Sequence, residues 1–267
     1  MIKISTLAIF LIFAGTGSVL AKAIFPKHSV EVGTEISYIK YEEPDVMEET
    51  GAMYGIVGSY TYHNNFMLKA QGKWSYGQVD YSSQGTGTLD GVDDYMLELR
   101  GLGGYDFPVS ETVTITPYIG FGYRYLYDDL RGTSSTGAKG YQREANYFYS
   151  PIGIEAIVNL KDGWSLGPTV EFDYFWAGTQ RSHLGDFFAG LDTLENDQDE
   201  GYGVRGSIKI QKKGDKIDFL VEPFVRYWNI GESEKSNITY SGTPIGLIGY
   251  EPKNNSIEIG GKLAAKF

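Results

Sequence analysis

Residues 113–127, VTITPYIGFGYRYLY, alternate without a break. Val113, Ile115, Pro117, Ile119, Phe121, Tyr123, Tyr125 and Tyr127 fall on one side of an extended chain. Thr114, Thr116, Tyr118, Gly120, Gly122, Arg124 and Leu126 fall on the other. Successive side chains of a strand point to opposite faces, so one face is apolar and aromatic while the other is small, polar or charged. Strands of soluble domains centre on about five or six residues. A strand that crosses a bilayer needs about 9–11 tilted residues, and this stretch supplies them with some to spare.

The same period of two recurs along the chain near 30–38, 52–62, 66–76, 95–106, 144–159, 164–176, 202–210, 217–227 and 257–267. The segment from Glu144 to Asn159 is the least regular, and Ser150-Pro151 reads as a bulge. His63-Asn64-Asn65, Pro108 to Glu111, Lys161-Asp162-Gly163 and Lys213-Gly214-Asp215 read as tight turns. Between them lie polar stretches near 42–50, 81–93, 128–143, 178–200 and 230–253. Ten strands with short turns at one end and long loops at the other predict an all-β fold, a transmembrane antiparallel up-and-down β-barrel. Its turns would be periplasmic and its loops extracellular, and an even strand count brings both ends of the chain to one side. The last two loops leave room for further β-structure above the membrane.

The N-terminus agrees with export. Lys3, an apolar run from Ile4 to Ala14 and small residues up to Ala21 and Ala23 predict a signal peptide over 1–21, with cleavage after Ala23 as the alternative. The barrel then occupies 24–267. The chain has no cysteine, which excludes disulfides, thiol nucleophiles and thiolate-held zinc. Acidic residues number 34 against 23 basic ones, a balance that argues against nucleic acid, since phosphate neutralisation needs clustered Lys and Arg.

An aromatic girdle is legible in Trp164, Tyr174, Trp176 and Tyr227. Trp164 and Trp176 are twelve residues apart, which at about 3.3 Å per residue and a tilt near 45° separates them by about 28 Å along the membrane normal. The chain finishes on Phe267, after Ala265 and Leu263 on the same face. That ending resembles the C-terminal assembly signal of bacterial outer-membrane proteins. The resemblance implies the barrel-assembly machinery, lipid and lipopolysaccharide as partners, and the cell outer membrane as the location.

The opposite register collects charge. Glu31, Glu35, Glu98, Glu155, Glu171, Asp173, Glu222 and Glu258 point inward, as do Lys69, Lys73, Arg100, Arg124, Arg205, Lys209, Arg226 and Lys262. An unpaired ion in a narrow lumen is costly, so the near balance predicts an ion network. Ten strands enclose little more than the eight whose interior side chains fill, and a plugged lumen follows.

Acid is also plentiful in the loops: Glu42, Glu43, Asp45, Glu48 and Glu49, then Asp90, Asp93 and Asp94, then Asp128 and Asp129, then Asp186, Asp192, Glu195, Asp197, Asp199 and Glu200. These clusters make Ca²⁺ or Mg²⁺ in the loops conceivable. The run from Asp192 to Glu200 lacks the central glycine of a calcium loop, and no other cofactor is implied. At the level of architecture, ten strands under five long external loops resemble the omptin proteases and the neisserial Opc-type adhesin. The omptin resemblance implies a catalytic role for Asp93 and Asp94 in the second loop facing His183 and Asp186 in the fourth. The order Ser182-His183-Leu184-Gly185-Asp186 departs from the family's Asp-x-His, and adjacent Asp93-Asp94 departs from its Asp-x-Asp. The expected role is therefore surface interaction or envelope structure without catalysis, with an omptin-like protease or a narrow selective channel as the alternatives.

Overall fold

The computed structural model describes residues 25–267; the leader expected at 1–21 lies outside them. Ten strands form the barrel: β1 (His28–Glu43), β2 (Met47–Asn64), β3 (Phe66–Ser83), β4 (Gly87–Tyr105), β5 (Val113–Asp129), β6 (Gln142–Asn159), β7 (Trp164–Ser182), β8 (Gly201–Lys212), β9 (Asp218–Ile230) and β10 (Asn254–Lys266). Each pairs antiparallel with its sequence neighbours, and β1 pairs with β10 to close the sheet. Closure removes both sheet edges, so the backbone at membrane depth finds its partners within the wall and not in lipid. The seam extends to the final residue, where Phe267 and Val30 exchange backbone hydrogen bonds of 2.9 and 3.1 Å.

The alternation read from the sequence sets the two faces. Val32, Ile36 and Tyr38 on β1, Leu68, Trp74 and Tyr76 on β3, and Val170, Phe172 and Tyr174 on β7 are exposed on the outside. Glu35, Ser37, Lys73, Ser75, Glu171 and Asp173 are buried inside. Trp164 and Trp176 both face out, at 45% and 56% exposure, and Lys212 lays its Nζ 5.2 Å from the Trp164 ring at the turn end. The membrane band runs from Phe66 to Tyr76 on β3, from Tyr105 back to Tyr95 on β4 and between the two tryptophans on β7. Above Tyr38, Tyr54, Tyr76, Tyr95 and Tyr127, the strand ends project beyond the bilayer.

That projection corrects the expected loops. Residues 42–50 and 81–93 are mostly strand, joined by turns of three residues at 44–46 and 84–86. Above the bilayer the outer face of a hairpin meets water and its inner face mixes acids with apolar residues, as with Glu43, Met47 and Glu49, so the apolar alternation stops although the hydrogen-bond ladder continues. The fourth and fifth loops do carry extra β-structure. Leu194–Gln198 pairs with the top of β7 in the register that β8 keeps lower down, and Ser236–Tyr240 forms a hairpin with Thr243–Gly249. The bulge is also displaced: Phe148 pairs with Ala177 and Tyr149 with Phe175, leaving Trp176 as the extra residue on β7. Pro151 still pairs with Asp173.

Candidate functional site

Inward side chains above and below the barrel waist form three layers. In the lowest, Lys262 lies 2.6 Å from Glu31 and also pairs with Glu222, while Lys209 reaches Glu155 at 3.5 Å and Glu31 at 3.8 Å. Higher up, Lys73 is 3.0 Å from both Glu35 and Glu258, and Arg226 is 2.7 Å from Glu35 and 3.1 Å from Glu258. Beside them, Arg205 donates to Asp173 and Glu98, each at 2.6 Å, and Arg100 pairs with Glu171. A guanidinium presents several donors in a fixed fork, which lets one Arg205 serve carboxylates from β4 and β7 at once.

Fourteen of the sixteen charges expected in the lumen thus make ion pairs. Among the described residues, Lys69 and Arg124 have no carboxylate within 4.0 Å. Arg124 instead lies 5.3 Å from the Trp228 ring and donates to the Met96 sulfur. Neutral members of the network were not anticipated from the sequence: Tyr149 donates to Glu98 and Tyr118 to Glu171, each at 2.7 Å, and Ser37 and Ser207 donate to Glu258 and Glu222. The inward position of Tyr118 was legible, that of Tyr149 in the least regular segment was not, and a hydroxyl on an inward face gives no sign of the carboxylate it will meet.

Over the charges sits an apolar layer. Tyr147, Tyr149, Phe175, Trp228 and Ile230 pack together and are essentially inaccessible, and Met53, Val79, Val92 and Met96 pack beside them. A cavity of about 130 Å³ lies below this layer, with Lys69, Arg100 and Tyr118 in its lining. A separate space of about 50 Å³ lies above it.

That upper space is lined by Glu49, Asp94 and Asp128 together with Arg124 and Arg143. Arg143 is 2.6 Å from Glu43 and also pairs with Glu251, and Tyr41 donates to both acids at 3.2 Å. The sequence places Glu43, Glu49, Asp94 and Asp128 in loops. The extended strands carry them inward instead, into a mouth where burial lifts Glu49 and Asp94 well above the usual carboxylate range, Asp128 to about 6 and Glu251 to about 7.

The residues that the omptin resemblance singled out are not gathered into one site. Asp93 faces outward, where Tyr76 donates to it at 2.6 Å and Gln78 at 3.0 Å. Asp94 faces the mouth. His183 bonds Glu144 through Nε2 at 2.8 Å, on the outward side of β6, and Asp186 accepts the Gln142 backbone N–H at 3.0 Å. Strand alternation alone separates Asp93 from Asp94, since adjacent residues of a strand point to opposite faces. Among the described residues, no group of three or more His, Cys, Asp or Glu side chains is placed to hold a metal ion.

The cap also exposes apolar surface. Ile245, Leu247 and Ile248 in Thr243–Gly249 are 44–62% exposed, and that strand pairs only with Ser236–Tyr240, leaving its far edge open among the described residues.

A closed ten-stranded barrel with an apolar exterior and a charged interior defines an outer-membrane barrel protein. The autotransporter β-domain family matches residues 47–201, more than half of the chain, and the protein belongs to that family. No curated protein matches the chain by sequence. Among solved structures, the outer membrane protease OmpT of Escherichia coli is 10% identical with a TM-score of 0.66, covering 90% of this chain and 96% of its own. The translocator domain of the autotransporter NalP from Neisseria meningitidis is 11% identical with a TM-score of 0.45, covering 92% of this chain and 90% of its own. The OmpT likeness shows the shared barrel fold.

Proposed function

We propose that this outer-membrane barrel works through its extracellular cap, as a surface-interaction or envelope-structural protein, and does not conduct or catalyse. The observation that carries this reading is the blocked lumen: paired charges fill it, and Tyr147, Tyr149, Phe175 and Trp228 close it above. The cap then remains as the working surface. It presents the exposed apolar strand Thr243–Gly249, with Asp192 bonded to Thr239 and Gly242 of the same hairpin, in loops that also carry Glu195, Asp197, Glu232 and Glu234, and an exposed apolar patch is typical of a binding surface. In this reading residues 1–21 direct export, Phe267 is read by the barrel-assembly machinery, and lipopolysaccharide surrounds the upper girdle.

Planar-bilayer recordings of the refolded protein, with a peptide-cleavage assay on the same sample, test it. The expected outcome is no steady conductance and no cleavage. Discrete steps would make it a channel. The protease alternative keeps one supporting observation, the His183–Glu144 hydrogen bond, because a histidine held by a carboxylate can act as a general base. Cleavage that disappears in His183→Ala would establish it.

A further inference from the structure

The mouth holds more carboxyl groups than its cations can balance. Glu49 on β2 and Asp128 on β5 come within hydrogen-bonding reach of each other across the top of the barrel, with β3 and β4 between them in the wall. Two carboxylates cannot hydrogen-bond to one another; the bond exists only while one of them carries a proton. Glu49 is 6% exposed, and its Oε1 and the Asp128 Oδ1 find no other partner. Asp94 on β4 adds a third acid to the same space.

The groups facing the pair from the surrounding elements do not supply the missing charge. Arg143 from β6 is shared between Glu43 of β1 and Glu251 of the last loop. Arg124 of β5 is turned down onto Trp228 of β9, and Glu258 of β10, the remaining acid that acts on Asp94, is held by Lys73 and Arg226. Tyr41, Tyr141 and Tyr147 are neutral neighbours at physiological pH.

We propose that Glu49 and Asp128 form a proton-operated latch that holds the extracellular mouth shut. With one proton shared, the pair ties the top of β2 to the top of β5 above the apolar layer of Ile39, Met53, Val79, Val92, Met96 and Leu130. Loss of that proton to bulk solvent places two adjacent negative charges in a poorly solvated space beside Asp94. Water must then enter, and the strand tops part. The sign follows from the direction of the shifts. A carboxyl group raised by burial favours the closed form fully below its ordinary value, near pH 4; Asp128 gives up its proton near pH 6, which leaves the shared proton on Glu49, and the latch is lost only as pH rises through the raised value of Glu49. The latch is therefore closed in acid and released toward alkaline pH, whatever partner the cap binds.

Hydrogen–deuterium exchange of the intact barrel in lipid nanodiscs, from pH 5 to about 10 and corrected for intrinsic exchange, tests the latch. Segments 47–53 and 126–130 are expected to stay protected through the loss of the first proton near pH 6 and to lose protection about tenfold or more above it, one pH unit of linkage being worth a factor of ten. Residues 164–176 at membrane depth should not change. Glu49→Gln and Asp128→Asn each supply a permanent donor and should keep the mouth protected at high pH. His183→Gln, which removes the nearby histidine, should leave the midpoint where it was. Protection that is flat with pH in the unmodified protein overturns the latch. So does an unshifted midpoint in both amide variants, or a dependence that vanishes with His183.

Discussion

Arg205 carries more of the lumen than any other side chain, touching Glu98, Glu171 and Asp173 while lying 5.4 Å from the Tyr149 ring and 5.5 Å from that of Trp228. Removing one partner of a buried ion pair strands the other, which costs about 3–5 kcal/mol. Arg205→Ala is expected to lower stability by that amount in urea unfolding of the micelle-bound barrel, and Arg205→Lys to recover only part of it, since an ammonium cannot reproduce the fork. Lys69 gives the opposite case. Among the described residues it has no carboxylate within 4.0 Å, so Lys69→Met strands no partner and should cost less than about 1 kcal/mol in the same experiment. Both residues were legible in the sequence as inward charges by the same period of two. Which of them had a partner was not, because partners come from strands far apart in the chain, as Arg205 and Glu98 do.

The seam between β1 and β10 is the element that makes the sheet a barrel, and it is tightest at Gly33. A Cβ there would stand 2.3 Å from the Leu263 carbonyl oxygen and 2.4 Å from the Ala264 Cβ. Backbone at that distance cannot give way, so Gly33→Val is expected to prevent closure. The compact band of the unboiled protein on a denaturing gel should be lost. Gly101, where a Cβ would meet nothing within 4 Å, should accept Ala with the band unchanged. The strands themselves followed directly from alternation wherever lipid lies on one side and the lumen on the other. Alternation failed as a guide above the membrane, where the inner face of the hairpin at 42–50 is lined by Glu43, Met47 and Glu49 and its outer face meets water, so that the segment reads as loop. For the same reason Glu49 and Asp128 were placed in solvent when the ladder in fact carries them into the mouth.

At the scale of the whole molecule, the protein divides into a body whose charges are paired and hidden and a cap whose acids outnumber its bases. Salt separates the two. Ions in solution screen exposed charges over about 10 Å at 0.1 M but hardly reach pairs enclosed by protein. Raising the salt concentration should therefore leave the unfolding midpoint of the barrel nearly unchanged, while adsorption of a cationic probe peptide to the cap should weaken steeply. A barrel built this way keeps its shape through swings in external ionic strength and lets only its outer surface respond to them.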